Sequence, residues 1–190
     1  MRPRTPDRRT KRTAHALHVA LNTLVLEKGY SAVSVKEITD RANVGRSTFY
    51  EHHGSKEGLL LHGLDHLRAA LASPAPAQSP DPLRPTLLFF THVSAYRDLF
   101  RALAAGPAGE AVVGKMKRIL GAALARHLPA ASHRGTPAIP RDLLIQFALD
   151  AAFSVLTWWL EQRPELTAAE IDHVYRQLVS GAIPGAIREA

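Results

Sequence analysis

The chain has 190 residues, a formal net charge of +7 at pH 7 and an isoelectric point of about 10.1. It contains no cysteine, which excludes disulfide bonds, thiol-based redox sensing and cysteine-ligated zinc. The length allows one full hydrophobic core, or a small domain joined to a larger one, and the basic charge favours nucleic acid as a partner.

Most of the excess positive charge lies in the N-terminal part of the chain. Residues 1–60 carry 11 Lys or Arg against 6 Asp or Glu, a net +5, which leaves +2 for the other 130 residues. The basic segment Arg2–Arg12 is compatible with a disordered arm that contacts DNA and equally with a solvated tail. The N-terminal residues contain no apolar signal-peptide core, so we expect a cytoplasmic protein.

A first amphipathic helix is predicted over about Asp7–Lys28, with Gly29 placed to end it. Its inward stripe consists of Ala14, Leu17, Leu21, Leu24 and Val25. This helix would cover the two short helices that follow it.

The next segment predicts two short helices joined by a three-residue turn. Ser34 and Glu37 have the spacing of a capping box, which starts the first of these helices at Val35. Residues 43–45, with the sequence Asn-Val-Gly, interrupt the helical periodicity, and a second helix follows at once from Arg46. The pattern is that of a helix-turn-helix.

The second of these helices has little apolar surface to bury. Only Phe49 and His53, four residues apart, are obvious inward positions. The other side chains offer a guanidinium, two hydroxyls, a phenol and an imidazole, groups that suit base edges and phosphate oxygens in a major groove. They belong to Arg46, Ser47, Thr48, Tyr50 and His52.

These residues resemble the N-terminal domain of the TetR family of bacterial transcriptional regulators. The resemblance covers roughly residues 1–70 and runs through EKGY, SVKEITDRANVGRSTFYEHHGSK and EGLLLHGL. Its most specific matches are Gly29 with Tyr30, the TFY at residues 48–50, and the SKEGLL that begins at Ser55. His53, in a position that is usually phenylalanine, and Gly54, in one that is often proline or lysine, depart from the pattern.

The resemblance implies that the second helix is the recognition helix of a DNA-binding domain. Arg46 and Ser47 would then contact base edges, and Lys36 from the preceding helix would reach the groove. Phosphate contacts would come from Thr48, Tyr50, His52 and Lys56.

The rest of the chain is predicted to be helical. A fourth helix from Ser55 to about Leu71 and a proline-rich corner at Ser73–Pro82 are followed by helices over about Leu83–Ala105, Glu110–Leu128, Arg141–Gln162 and Thr167–Ile183. No strand alternation occurs, so we expect an all-α fold. It would comprise a three-helix DNA-binding domain over residues 1–54 and a helical effector-binding and dimerisation domain over residues 55–190.

The segment LLIQFALDAAFSVLTWWL, residues 143–160, is apolar nearly all round. It is at the short limit for crossing a bilayer, and Gln146 and Asp150 within it favour a buried helix of a protein without a membrane span. The apolar residues on the different sides of such a helix have to be buried, some in the core of the same chain and some against a second chain. We therefore expect a homodimer, which the resemblance also implies, with two recognition helices about 34 Å apart on a DNA palindrome.

The resemblance further implies a small effector in the larger domain that changes the spacing of the two recognition helices. Aromatic walls with a few polar groups would suit an apolar or aromatic effector, although the same residues would equally pack the core and the dimer interface. The candidates are His92, Tyr96, Phe100, Phe147, Asp150 and Trp158. Asp150, an acid among apolar neighbours, would pair with Arg97 or His92, or contact the effector.

Ten histidines raise the alternative of a metal-dependent enzyme. His62 and His66 have the spacing of metal ligands on a helix, but no third ligand is evident, so no catalytic residue, metal or cofactor is expected. The resemblance implies a ligand-responsive, DNA-binding transcriptional regulator that acts as a repressor, with activation as the other direction of control. A co-regulator of the same fold, controlled by a protein partner, is the alternative.

Overall fold

The computed structural model describes residues 8–73, 81–103, 106–128, 139–163 and 165–180. Within these ranges the backbone forms ten α-helices and one 3-10 turn and contains no strand, which confirms the all-α prediction. The predicted arm lies outside the described residues as far as Asp7, and most of the predicted Ser73–Pro82 corner lies outside them as well.

Five helices precede the proline-rich segment and five follow it. The first five are α1 (Arg8–Lys28), α2 (Val35–Ala42), α3 (Arg46–His53), α4 (Lys56–His62) and α5 (Asp65–Ala72), with the 3-10 turn at Tyr30–Ala32. The others are α6 (Arg84–Ala95), α7 (Arg97–Leu103), α8 (Pro107–His127), α9 (Arg141–Gln162) and α10 (Ala168–Val179).

Two predicted helices are each divided in the structure. The prediction of one helix from Ser55 to Leu71 is wrong, because α4 ends at His62 and α5 begins at Asp65. Gly63, which follows α4, is the residue type with the lowest helix propensity after proline. The prediction of one helix over Leu83–Ala105 is also wrong, because Tyr96 has φ −122° and ψ 25°, outside the α-helical region. The predicted bounds of α9 are confirmed.

The chain divides into two compact units. The first comprises the residues up to Asp65 together with Asp98–Val113. In it α1 packs on α2, on the 3-10 turn and on α4, and α3 packs on α2 and α4. The centre of this core is formed by fully buried side chains: Leu17, Leu21, Ile38, Phe49 and Leu59.

The second unit comprises His66–Arg97 and the residues from Gly114 onward. Its core is aromatic, because α6, α9 and α10 meet through Phe89, Phe90, Phe153, Trp159 and Tyr175. The polar atoms of the two largest side chains are satisfied by backbone carbonyls. The Trp159 indole donates to Leu166 at 2.9 Å and the Tyr175 hydroxyl donates to Ala148 at 3.0 Å.

A buried polar network ties α10 to α6 and to the residues before α6. Asp172, only 4% exposed, accepts hydrogen bonds from the Thr86 hydroxyl and from Nε of Arg176. The Arg176 guanidinium also donates to both carboxylate oxygens of Asp81, at 2.9 and 3.0 Å. The charges are thus paired where water is largely excluded.

Among the described helices, α9 is the one that is long and apolar enough for a membrane span by length and composition. One face of it nevertheless packs in the core of the second unit, with Leu144, Ala148, Ala152 and Trp159 almost completely buried. This placement agrees with the predicted buried helix.

Candidate nucleic-acid interface

The predicted capping box fixes the start of α2. The Ser34 hydroxyl accepts from the Glu37 backbone N–H at 3.3 Å, and the Ser34 N–H donates to the Glu37 carboxylate at 2.9 Å. A hydrogen bond from the Lys28 ammonium, followed by those from Ser34, lowers the pKa of Glu37 to about 2. The carboxylate therefore stays ionised and links the end of α1 to the start of α2.

The turn between α2 and α3 is built by Asn43 and Gly45. Asn43 has φ 52° and ψ 48°, the left-handed conformation that asparagine tolerates better than most residues. The Val44 N–H donates to the Thr39 carbonyl at 3.0 Å, and the Gly45 carbonyl accepts from Phe49 as the first bond of α3. The turn is tight, as the sequence predicted.

One face of α3 points away from the core. Phe49 is completely buried and holds the helix against the first unit, whereas Tyr50 is 53% exposed. Arg46, Ser47 and His52 are exposed and Thr48 is half-buried. We call these five polar residues of α3, at positions 46, 47, 48, 50 and 52, the reading face. At 100° per residue these five positions spread over about 240° of the helix circumference, and the exposed Glu51 lies among them.

The two lysines outside α3 differ in their surroundings. Lys36 is exposed and forms an ion pair with Asp40 on the next turn, at 2.7 Å. Lys56 is half-buried, and its ammonium donates to the carbonyls of Tyr30 at 2.8 Å and Val33 at 2.6 Å. It also lies 4.2 Å from the centre of the Tyr30 ring. Lys56 thus braces the 3-10 turn, a role that the sequence did not indicate.

Histidines connect the end of α3 to α1 and α4. His18 of α1 lies with Nδ1 2.8 Å from the Ala14 carbonyl and Nε2 2.9 Å from the Leu59 carbonyl. The Nδ1 atoms of His53 and His62 are 3.0 Å apart, and the His53 Nε2 is buried without a hydrogen-bond partner among the described residues. Burial, assisted by nearby histidines, lowers the pKa of His53 to about 4.

The start of α4 lies unusually close to the end of α3. A methyl group at Gly58 would overlap the His53 carbonyl, so a residue without a side chain is needed there. Gly54, with φ 68°, ends α3 in a conformation that favours glycine. The two glycines give the chain its path out of the recognition helix.

The contacts of the histidines in the described ranges bear on the proposed metal alternative. Across the described parts of the chain, no group of three or more His, Asp or Glu side chains is arranged to hold a metal ion. His62 contacts His53, while His66 belongs to the second compact unit.

The six predicted effector-binding residues belong to both compact units. The His92 ring lies 5.0 Å from that of Tyr96, and burial lowers the pKa of His92 to about 4. Phe100 belongs to the first compact unit, and Phe147 and Trp158 are 45% and 40% exposed on α9.

Asp150 makes contacts other than those proposed from the sequence. It accepts a hydrogen bond from Gln146 at 2.7 Å and pairs with Lys117 at 3.7 Å, not with Arg97 or His92. Arg97 instead stacks on the ring of Trp159 and donates to the Leu166 carbonyl.

Comparison with known proteins places the helix-turn-helix in a family. Residues 17–62 match the family model of bacterial regulatory proteins of the tetR family. A 55-residue stretch is 42% identical to YxbF of Bacillus subtilis strain 168, an uncharacterized HTH-type transcriptional regulator. That stretch is 28% of this chain but only 14% of the relative.

Solved structures resemble the chain over almost its whole length. A TetR transcriptional regulator from Streptococcus agalactiae 2603V is 28% identical, with a TM-score of 0.64 over 91% of this chain and 96% of that one. A tetR-family transcriptional regulator from Streptomyces coelicolor is 19% identical, with a TM-score of 0.55 over 93% of this chain and 85% of that one. The second similarity is one of fold.

Proposed function

Because the chain belongs to the TetR family of transcriptional regulators, we propose that it is a repressor that binds a palindromic operator as a homodimer and responds to a small effector. It is accordingly a DNA-binding regulator and not an enzyme. Its target is chromosomal DNA, so we place its action in the cytoplasm. The boundary between the DNA-binding and effector domains, at residues 54 and 55, remains a prediction.

The observation that carries this proposal is the reading face of α3. An eight-residue helix that buries Phe49 and turns its guanidinium, hydroxyls, phenol and imidazole outward has the side chains needed to enter a major groove. Arg46 and Ser47, in the first turn, are the proposed base contacts. Thr48, Tyr50 and His52 are proposed to contact phosphates, together with Lys36 and the remaining donor of Lys56.

A homodimer is supported by an exposed apolar stripe on α9. At 100° per residue, Leu143, Phe147 and Trp158 fall within an arc of about 60°. They are 58%, 45% and 40% exposed, and Leu178 of α10 is 65% exposed. We propose that a second copy of the chain covers this surface, because a two-fold contact buries the same patch on both subunits.

The effector is proposed to act by a population shift. The effector must have a higher affinity for the conformation that does not fit the operator than for the conformation that does. Only this difference in affinity releases DNA. The expected effector is an apolar or aromatic ligand of the helical domain. The exposure of Phe147 and Trp158 on the α9 stripe favours dimer contacts for these two residues.

Arginine-to-alanine variants test the proposed base contact. Replacement of Arg46 should weaken binding to the preferred sequence by about 1–3 kcal/mol and reduce the preference over unrelated DNA. The matched control is Arg41→Ala, which removes an exposed arginine of α2 that pairs with Glu27 outside the reading face. Equal losses for the two variants on preferred and unrelated duplexes, measured by fluorescence anisotropy, would contradict the assignment of Arg46.

A further inference from the structure

A basic cavity lies between α5 and α8, within the second compact unit. Its volume is about 380 Å³. Its lining consists of Arg68 and Ala72 from α5, and Lys115, Arg118, Ile119, Ala122 and Arg126 from α8. We call it the α5–α8 groove. None of the six effector-binding residues predicted from the sequence lines it.

The charge of the groove has one sign. Four of its seven lining side chains are cationic and none is acidic. Arg126 is held in place by donating to the Leu71 carbonyl at 2.9 Å. Within the described residues, Arg118 forms no ion pair. An anion that enters the groove therefore meets cationic side chains from both helices.

The three remaining lining residues give the groove an apolar surface. They are Ala72 of α5 and Ile119 and Ala122 of α8, of which Ile119 is 8% exposed. An inorganic anion would use the cationic groups alone, whereas a ligand with an apolar part would also remove this surface from water. The volume is at the lower end of the range for small-molecule sites, which suits a short ligand.

We propose that the α5–α8 groove binds a small amphipathic organic anion, in which a carboxylate or phosphate meets the arginines and a short apolar part covers Ile119. Guanidinium groups suit both anions because they form paired, charge-assisted hydrogen bonds. Such a ligand would hold α5 against α8. Its effect on transcription rests on the proposed function, whereas its binding does not.

Calorimetric titration of the full chain tests the proposal with four probes: octanoate, octyl phosphate, octanol and inorganic phosphate. Octanoate or octyl phosphate should bind with at least tenfold higher affinity than octanol, which lacks the charge, and than inorganic phosphate, which lacks the apolar part. The octanoate and octyl phosphate titrations distinguish a carboxylate site from a phosphate site. Binding should weaken as salt is raised.

Variants locate the site. Arg118→Ala should reduce the affinity for the preferred octyl anion about tenfold, because one charge-assisted hydrogen bond is lost. Arg163→Ala, which removes an exposed arginine of the same unit outside the groove, should leave it unchanged. Circular dichroism of both variants confirms that they are folded; Arg118 is exposed, so its replacement leaves the core intact.

Three results would overturn the inference: octanol binding as tightly as octanoate and octyl phosphate, inorganic phosphate binding as tightly as octyl phosphate, or equal affinity of the wild type and Arg118→Ala for the octyl anions. A random-sequence duplex that displaces the octyl anion and loses affinity in Arg118→Ala would assign the groove to DNA instead. Loss of ligand binding in a chain that still prefers one DNA sequence refutes only the groove. Ligand binding without any DNA sequence preference refutes only the regulator function.

Discussion

The Nδ1 atoms of His53 and His62 lie 3.0 Å apart and join the last turn of α3, the proposed recognition helix, to the last turn of α4. One nitrogen of this pair must donate and the other accept, so the contact exists only while at least one ring is neutral. The ring of His18 is 5.7 Å from that of His53, and the His52 ring is 6.4 Å away. The contact between α3 and α4 is therefore lost when both rings are protonated.

Stability should fall on mild acidification, and His53 should account for part of the loss. Burial lowers the pKa of His53 from 6.5 to about 4, so between these pH values the unfolded chain binds more protons than the folded chain. The free energy of unfolding is then retained above about pH 6.5 and decreases as the pH falls towards 4. Between pH 7 and pH 5 the free energy of unfolding, measured by urea denaturation, should decrease by roughly 1 kcal/mol less in His53→Phe than in the wild type. This value allows for solvent screening.

The control for this experiment is His15→Gln, because His15 is exposed on α1. Its pH dependence should match that of the wild type. His92, whose pKa is also lowered to about 4, is present in all three chains and cancels in the comparison. Identical pH dependence of the wild type and His53→Phe would show that His53 is not kept neutral by its surroundings.

Alanine variants of Lys56 and Lys36 should weaken DNA binding alike but differ in the free energy of unfolding. Both are proposed phosphate contacts, so each alanine variant should weaken binding to all duplexes and reduce the salt dependence by about one unit. Lys56→Ala should also lower the free energy of unfolding by about 1–3 kcal/mol, because it leaves the Tyr30 and Val33 carbonyls without their donor. Lys36→Ala removes an exposed pair and should change it by less than about 0.5 kcal/mol.

Urea denaturation of both variants gives the free energy of unfolding, and salt titrations of DNA binding give the salt dependence of the affinity. A Lys56→Ala protein as stable as the wild type would contradict the bracing of the 3-10 turn. Unchanged DNA affinity in either variant would remove that lysine from the interface.

The buried carboxylate of Asp172 should contribute several times more to the free energy of unfolding than an exposed carboxylate does. Asp172→Ala leaves the Arg176 Nε without its acceptor in a site where water is scarce, whereas the Thr86 hydroxyl keeps the Leu83 carbonyl as an acceptor. We expect a loss of about 3 kcal/mol in the free energy of unfolding. Glu51→Ala, which removes an exposed acid of α3, should cost less than about 0.5 kcal/mol. Similar costs for the two variants in thermal or urea denaturation would mean that the network contributes no more than surface charge.

The dimer proposal predicts that one charge on the α9 stripe dissociates the subunits. Trp158→Glu should shift sedimentation equilibrium towards monomer, because it would bury a carboxylate without a partner at a two-fold contact. Tyr96→Glu is the matched control, since Tyr96 is 41% exposed, much as Trp158 is, but lies outside the stripe. A Trp158→Glu protein that stays fully dimeric would exclude Trp158 from the subunit interface.

The parts of the fold that depend on local chemistry could be predicted from the sequence. The capping boxes at Ser34 and Thr167, the turn at Asn43 and the bounds of α9 all follow from neighbouring residues. The exposed polar residues of α3 could also be predicted from local sequence, because a short helix with a single buried aromatic residue leaves its other residues exposed.

Features that join distant segments could not be predicted in this way. The bond from Thr86 to Asp172 and those from Lys56 to the 3-10 turn connect residues far apart in the chain. The α5–α8 groove likewise requires Arg68 and Arg118 to face one cavity, which no periodicity reveals. The break at Tyr96 could not be predicted either, because Ala95 and Arg97 on its two sides favour helix.

Selection of bound sequences from a random duplex pool tests the central claim most directly, namely that two copies of the chain present their reading faces to one DNA site. The recovered sequences should share a palindrome whose half-site centres are about 10 base pairs, or a multiple of this, apart. Enrichment should disappear when the pool is presented to Arg46→Ala. A wild-type protein that recovers no common sequence at low ionic strength, or one without two-fold symmetry, would contradict the account.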